Sequence, residues 1–212
     1  MRLRVGYASG REGGRPSRSH KKKMASMGME VGPSTVCPIC LDSKPPLVDS
    51  GCGCPNPAFA HPLCRAAAKE DWWKCESCSQ PFTGEMEAGI VRARWEITAA
   101  LPEDNTTRLV ATYELGLLQI REVKLADAEA TLSGLLAIEK RVRGGDHPHT
   151  LGTKQTLAFC LSEQGKHFEA TALAREVLSA QKMLHGDEHH ETIVAAGFLA
   201  ECLLLEGRAS AE

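Results

Sequence analysis

The stretch Gly144-Gly145-Asp146-His147-Pro148-His149-Thr150 returns forty-two residues later as Gly186-Asp187-Glu188-His189-His190-Glu191-Thr192. The same offset relates Leu109, Leu151 and Ile193, and again Leu115, Leu157 and Leu199. Small residues also keep step: Gly116, Ala158 and Ala200 form one set, and Ala128 and Ala170 another. Even Cys160 and Cys202 are one period apart. Self-similarity at a fixed period of this length marks a stacked-repeat architecture, in which each unit is too small to bury its own apolar face and borrows that of its neighbour.

Working outward from the loops, each unit reads as two helices. In the second unit, helix A is expected from about Thr150 to Glu163, with Gly165 supplying the left-handed turn that stops it. Helix B is expected from about His167 to Leu184, with Leu173, Val177 and Leu178 on one stripe. Ala158 and Ala170 let the paired helices approach, and leucines fill the space around them. The histidines His147, His149, His189 and His190 recur at equivalent turns, which favours a structural role there over a metal site. Cys160 and Cys202 hold one lattice position and read as small core residues. Trp95, upstream, is expected to pack. These size and spacing relations resemble a tetratricopeptide helical hairpin, and the Asp-His-Pro-x-Thr loop resembles the kinesin-light-chain type of that repeat. The resemblance spans roughly Asn105 to Arg208, with a third repeat that is incomplete. So short a stack implies a fragment, an oligomer, or a stack capped by a helix near Met86 to Ala100.

Toward the start of the chain the composition changes. From Cys37 to Phe82 the sequence is rich in Cys, Pro and Gly, with scarcely any periodic apolar pattern. Such a segment cannot bury enough surface to fold unaided. Of nine cysteines in the chain, seven lie between Cys37 and Cys78. They run Cys37-x2-Cys40, Cys52-x-Cys54, His61-x2-Cys64, Cys75-x2-Cys78: four close pairs of soft or imidazole donors, as two tetrahedral zinc ions require. Turn residues Pro38, Gly51, Gly53, Pro55 and Pro57 accompany them. A disulfide framework competes, but an odd count and the lack of a secretory signal favour thiolate and metal. Loading the seven thiolates with two Zn2+ takes the formal charge to about −5, and makes folding of the segment metal-dependent.

The ligand order and the text around it, Cys37-Pro-Ile-Cys40-Leu41-Asp42, Phe59-Ala-His61-Pro-Leu-Cys64 and Cys75-Glu-Ser-Cys78, resemble a RING-CH (RING-variant) zinc finger. The resemblance implies a cross-brace: Cys37, Cys40, His61 and Cys64 on one zinc, Cys52, Cys54, Cys75 and Cys78 on the other. It also implies a surface for a ubiquitin-conjugating enzyme, built from Ile39 in the first zinc loop and Trp72 or Trp73 near the helix. In that family the chemistry belongs to the bound enzyme, so no catalytic residues are expected in this chain. Trp72 stands further from Cys64 than the family's tryptophan does, and Ser79 and Gln80 stand where active members often carry a basic residue. A PHD finger shares the ligand order and would make the chain a chromatin reader. A purely structural finger on the repeat scaffold is the other alternative.

Charge and composition bound the rest. Met1 to Val36 carries Arg2, Arg4, Arg11, Arg15, Arg18, Lys21, Lys22 and Lys23 against Glu12 and Glu30, an excess of six positive charges in a chain whose formal total is −2. Rich in Gly, Ser and Arg and without periodicity, this segment is expected to be a disordered basic arm. Its His20-Lys21-Lys22-Lys23 run fits a nuclear import signal or a solvated tail, and nucleic acid is not the favoured partner. The longest apolar run, Ile193 to Leu205, is too short to cross a bilayer and contains Glu201, and the start lacks a signal-peptide core. An intracellular protein, cytoplasmic or nuclear, is expected. The architecture predicted is a basic arm (1–36), a small two-zinc cross-brace finger (37–83), a connecting helix (84–104), and an all-α tetratricopeptide-type helical-hairpin solenoid (105–212), with protein partners on finger and repeats.

Overall fold

A computed structural model of the chain describes Val48–Asp49, Phe59–Ala60, Lys74 and residues 79–209. The two short strands, β1 (Val48–Asp49) and β2 (Phe59–Ala60), pair antiparallel with Val48 opposite Ala60 and Asp49 opposite Phe59. Among the described residues six helices follow: α1 (Gly84–Thr98), α2 (Thr106–Arg121), α3 (Leu125–Arg143), α4 (Pro148–Glu163), α5 (His167–His185) and α6 (His190–Ala209). Each packs on the next, forming antiparallel hairpins. Helices α2, α4 and α6 also touch in succession, so the A-type helices share one side of the stack.

The repeat period sets the ends of these helices. Asn105, His147 and His189 stand one period apart, and each receives a backbone N–H on its side chain. Asn105 Oδ1 accepts from Thr107 N at 2.9 Å, His147 Nδ1 from His149 N at 3.2 Å, and His189 Nδ1 from Glu191 N at 3.3 Å. Such caps satisfy donors that the first helical turn leaves orphaned. Helix α4 starts two residues before the expected Thr150 because Pro148, which has no N–H to lose, takes the first position. Gly144 and Gly186, with φ of 93° and 84°, end α3 and α5.

The A-to-B turns show what a left-handed position costs. After α4, Gly165 N bonds Ser162 O at 3.0 Å and Lys166 N bonds Leu161 O at 2.9 Å, a Schellman closure with Gly165 at φ 79°. After α2 the same pair of bonds forms, Val123 N to Ile120 O at 3.0 Å and Lys124 N to Gln119 O at 2.9 Å, but the left-handed residue is Val123 at φ 60°. A β-branched side chain there is strained. Since Val123 is 77% exposed, little burial offsets the strain. Val123→Gly is therefore expected to stabilise the chain by about 1 kcal/mol, and Gly165→Val to destabilise it by a similar amount. Denaturant melts of both variants check the pair of signs.

Helix α1 is more than a connector. It spans Gly84–Thr98 rather than the expected 84–104, and residues 99–104 turn toward the Asn105 cap. The period runs back through it: Met86, Ala128 and Ala170 align and are fully buried, as are Ile90, Leu132 and Ala174. α1 is thus a B-type helix preceding the first A helix. It covers Leu115 and Leu118 of α2 with Val91, which is the capping role expected of this segment. Ion pairs Glu87–Arg121, Arg92–Glu122 and Arg94–Glu114 tie it to α2.

The hairpins close through complementary sizes. A Cβ on Gly116 would stand 2.7 Å from Leu132 Cδ2, so the first hairpin meets as Gly against Leu. One period later the same pair is Ala158 against Ala174, both buried. Volume is shared differently, yet the helices meet at the same lattice point. The continuous core takes in Leu109, Tyr113, Leu132, Leu135, Leu157 and Leu161, with Cys160 and Cys202 within it. Both cysteines are buried, unpaired thiols whose pKa burial pushes up, so they serve packing as expected.

Candidate functional site

The proposed zinc ligands Cys37, Cys40, Cys52, Cys54, His61, Cys64, Cys75 and Cys78, and the partner residues Ile39, Trp72 and Trp73, all lie outside the described residues, as does the basic arm. The backbone that brackets two of the ligand pairs is described. Pairing of Asp49 with Phe59 brings together the two ends of the segment that carries Cys52 and Cys54, and His61 directly follows β2. Lys74 and Pro81 form an antiparallel bridge, and Cys75 and Cys78 lie between them in the sequence. Ser79, just past Cys78, has φ 59°. Strand β1 lies beside α1, so this frame adjoins the first repeat.

Among the described residues no three His, Cys, Asp or Glu side chains gather as a metal site. The loop histidines act in the turns instead. The rings of His147 and His149 stack with centroids 5.3 Å apart, and those of His185 and His189 at 4.4 Å. Burial first, then the positive charge of Arg143, lowers the pKa of His149 below its ordinary 6.5. The fold therefore favours its neutral form. That contribution is complete above the unfolded-state value and is lost as pH falls through the lowered folded-state value. Melting temperature is expected to fall between about pH 7.5 and about pH 5.5, with a shallower slope in His149→Gln, as thermal melts across that range would read.

A cleft of about 270 Å3 opens between α1, α2 and α3. Trp95, Leu109, Thr112, Gly134, Leu135 and Ile138 line it, and Glu103 and Arg108 stand at its rim. Trp95 is 41% exposed, so it borders this opening rather than packing away as expected. The repeat explains the cavity. One period on, Thr112 and Gly134 become Lys154 and Glu176, whose ion pair at 3.2 Å fills the equivalent space with a buried lysine stem. With a threonine and a glycine in their place, the space stays open. Its signal in the sequence lies in what differs at the forty-two-residue offset rather than in what matches.

Polar links between repeats are concentrated elsewhere. Glu139, 3% exposed, accepts from Thr153 Oγ1 at 2.7 Å and pairs with Arg143 at 3.0 Å. Tyr113 and Thr156 hydroxyls meet at 2.9 Å between α2 and α4. Gln164 Nε2 donates to Leu125 O at 3.1 Å and to Glu129 at 3.0 Å, and Lys166 pairs with Glu129 at 2.7 Å. These contacts fix repeat on repeat.

Taken together, hairpins in register, shared A-helix contacts and periodic caps define a tetratricopeptide-like helical-repeat solenoid. Two solved structures are similar to it. The kinesin light chain nearly identical TPR-like repeats of Podosopora anserina match with a TM-score of 0.55 and 22% identity, over 58% of this chain and 59% of that one. A point-substituted form of the same repeats matches with a TM-score of 0.54 and 22% identity, over the same shares. The chain thus spans 59% of the length of these structures, and at that identity the likeness is one of fold. No protein-family model and no curated protein matches the chain. Among the described residues no helix is long and apolar enough to cross a membrane.

Proposed function

We propose that the chain is a zinc-binding protein-interaction adapter that works as a RING-type ubiquitin ligase. Cys37, Cys40, His61 and Cys64 would hold one zinc, and Cys52, Cys54, Cys75 and Cys78 the other. Bound zinc supplies a folding core and no redox or hydrolytic chemistry. Ile39, with Trp72 and Trp73, offers an apolar surface to a ubiquitin-conjugating enzyme, and thioester transfer stays on that enzyme. The repeats hold the protein to be modified, as a helix or extended segment.

The observation that carries this reading is the Lys74–Pro81 bridge around Cys75-x2-Cys78. A two-residue gap places two sulfurs on one ion only if the backbone folds back within a few residues, and a bridge between residues on either side of the pair supports such a reading. The β1–β2 pair supports the reading in the same way around Cys52 and Cys54. The test is discharge of ubiquitin from a loaded conjugating enzyme by the full chain. Acceleration is expected, dropping at least about tenfold in Ile39→Ala while two zinc ions per chain are retained, since a central apolar contact contributes more than 1 kcal/mol. No acceleration across a broad panel of conjugating enzymes would overturn the ligase and leave the structural finger. Binding to histone-tail peptides would favour the chromatin reader.

A further inference from the structure

The open cleft between α1, α2 and α3 has a filled counterpart inside the same molecule. Its floor is kept at the forty-two-residue offset, where Leu109, Ala130 and Leu135 become Leu151, Ala172 and Val177. What changes is the filling. Lys154 stands at the position of Thr112 with its side chain 7% exposed, and its Nζ lies 3.2 Å from Oε2 of Glu176, at the position of Gly134. In the first repeat the Thr112 hydroxyl donates to Arg108 O at 2.8 Å, and a Cβ on Gly134 would meet nothing within 4 Å. The walls that suit a lysine stem are therefore present and the stem is not. The mouth also has a sign of charge. Residues 95–104, from which Trp95, Ala99 and Glu103 line the cleft, carry Glu96, Glu103 and Asp104 and no basic residue. Of the two cations nearby, Arg108 donates to Leu101 O at 2.6 Å. Arg141 pairs with Glu103 at 3.2 Å with both side chains solvated, a contact that a second cation can share.

We propose that this cleft is a binding site for a lysine side chain of a protein partner. The methylene stem lies against Leu109, Leu135 and Ile138, held by burial of its apolar surface as the stem of Lys154 is held one repeat later. The ammonium stays at the mouth, beside the Glu103 carboxylate and the Trp95 indole, whose ring face attracts a cation. A plain aliphatic side chain matches the floor and leaves the acidic rim unused. An acidic side chain sets its carboxylate against those of Glu96, Glu103 and Asp104. Lysine suits both floor and rim. The inference rests on the reading of the repeats as the part that holds a protein, and it needs neither the finger nor a conjugating enzyme. Failure at this cleft leaves the ubiquitin-discharge test untouched, and failure of that test leaves the cleft untouched.

The test is a titration of the full zinc-loaded chain with n-pentylamine, which reproduces a lysine side chain from its Cα outward. Binding is read by NMR on the Trp95 indole N–H, assigned among the three tryptophans by the signal lost in Trp95→Phe. The amine is expected to shift that resonance and to saturate in the millimolar range, as suits so small a ligand. Pentan-1-ol should bind at least about threefold more weakly and pentanoate more weakly still, and Glu103→Gln should bring the amine down to the level of the alcohol. Filling the cleft from within by the double substitution Thr112→Lys, Gly134→Glu should abolish the shift. The open space around Gly134 admits the new side chains, so the helical circular dichroism is expected to be unchanged. An alcohol that binds as well as the amine would overturn the proposal in favour of a purely apolar anchor. Tighter binding of pentanoate would overturn it in favour of an acidic partner read by Arg108. No shift with the amine, or a shift that survives in the double variant, would remove the site altogether.

Discussion

Stripping zinc from the full chain with a strong chelator is expected to unfold residues 37–83 while leaving the helices of 84–209 in place. Proton uptake, loss of two zinc ions by elemental analysis, and a change in Trp72 and Trp73 fluorescence should occur together. The helical circular dichroism should persist. The expected size of the effect is large because each closed thiolate site contributes about 10 kcal/mol or more to folding, and this segment has no apolar core to replace it. The solenoid survives because its own core is independent of metal, running from Leu109 through Leu132 and Leu135 to Leu161. Strand β1 lies beside α1, so faster amide exchange is expected in α1 first. Purified protein without zinc, or a finger unmoved by chelation, would remove the basis of the ligase proposal.

Arg143→Ala should be the most damaging single substitution of a surface-reaching residue in the repeats, at about 3 kcal/mol in denaturant melts. The reason is Glu139. The residue is 3% exposed, and among the described residues Thr153 Oγ1 at 2.7 Å and Arg143 Nη1 at 3.0 Å bond its carboxylate. Removing the guanidinium leaves a desolvated charge between the first and second repeats. The double variant Glu139→Gln, Arg143→Met should recover most of the loss, because the second repeat already uses Gln181 at the position of Glu139. Arg141→Ala is the control. Its pair with Glu103 at 3.2 Å is solvated on both sides, so its loss should cost less than about 1 kcal/mol. Equal effects at Arg141 and Arg143 would mean that burial of Glu139 carries no weight.

Repetition made the helical part legible. Helix A ends at Glu163 and helix B begins at His167, as read, because Gly165 and the spacing of small residues are local signals that solvent cannot disguise. The loop histidines were likewise readable as turn residues, although their capping of His149 N and Glu191 N was not. α1 was harder. Its match to the period rests on Met86 and Ile90 standing where alanine and leucine stand later, and substitutions of that size blur a sequence comparison. The cleft beside Trp95 was harder still, since it exists through what Thr112 and Gly134 lack.

By itself the sequence determined the period and the turn from Glu163 to His167, because each depends on residues close together in the chain. The tertiary structure alone decided that α1 completes the stack as a B-type helix and that the first repeat is hollow where the second is filled by Lys154 and Glu176. It also decided that Glu139 is buried. Such outcomes depend on which side chains from distant turns meet, and on whether a neighbouring helix is there to exclude water.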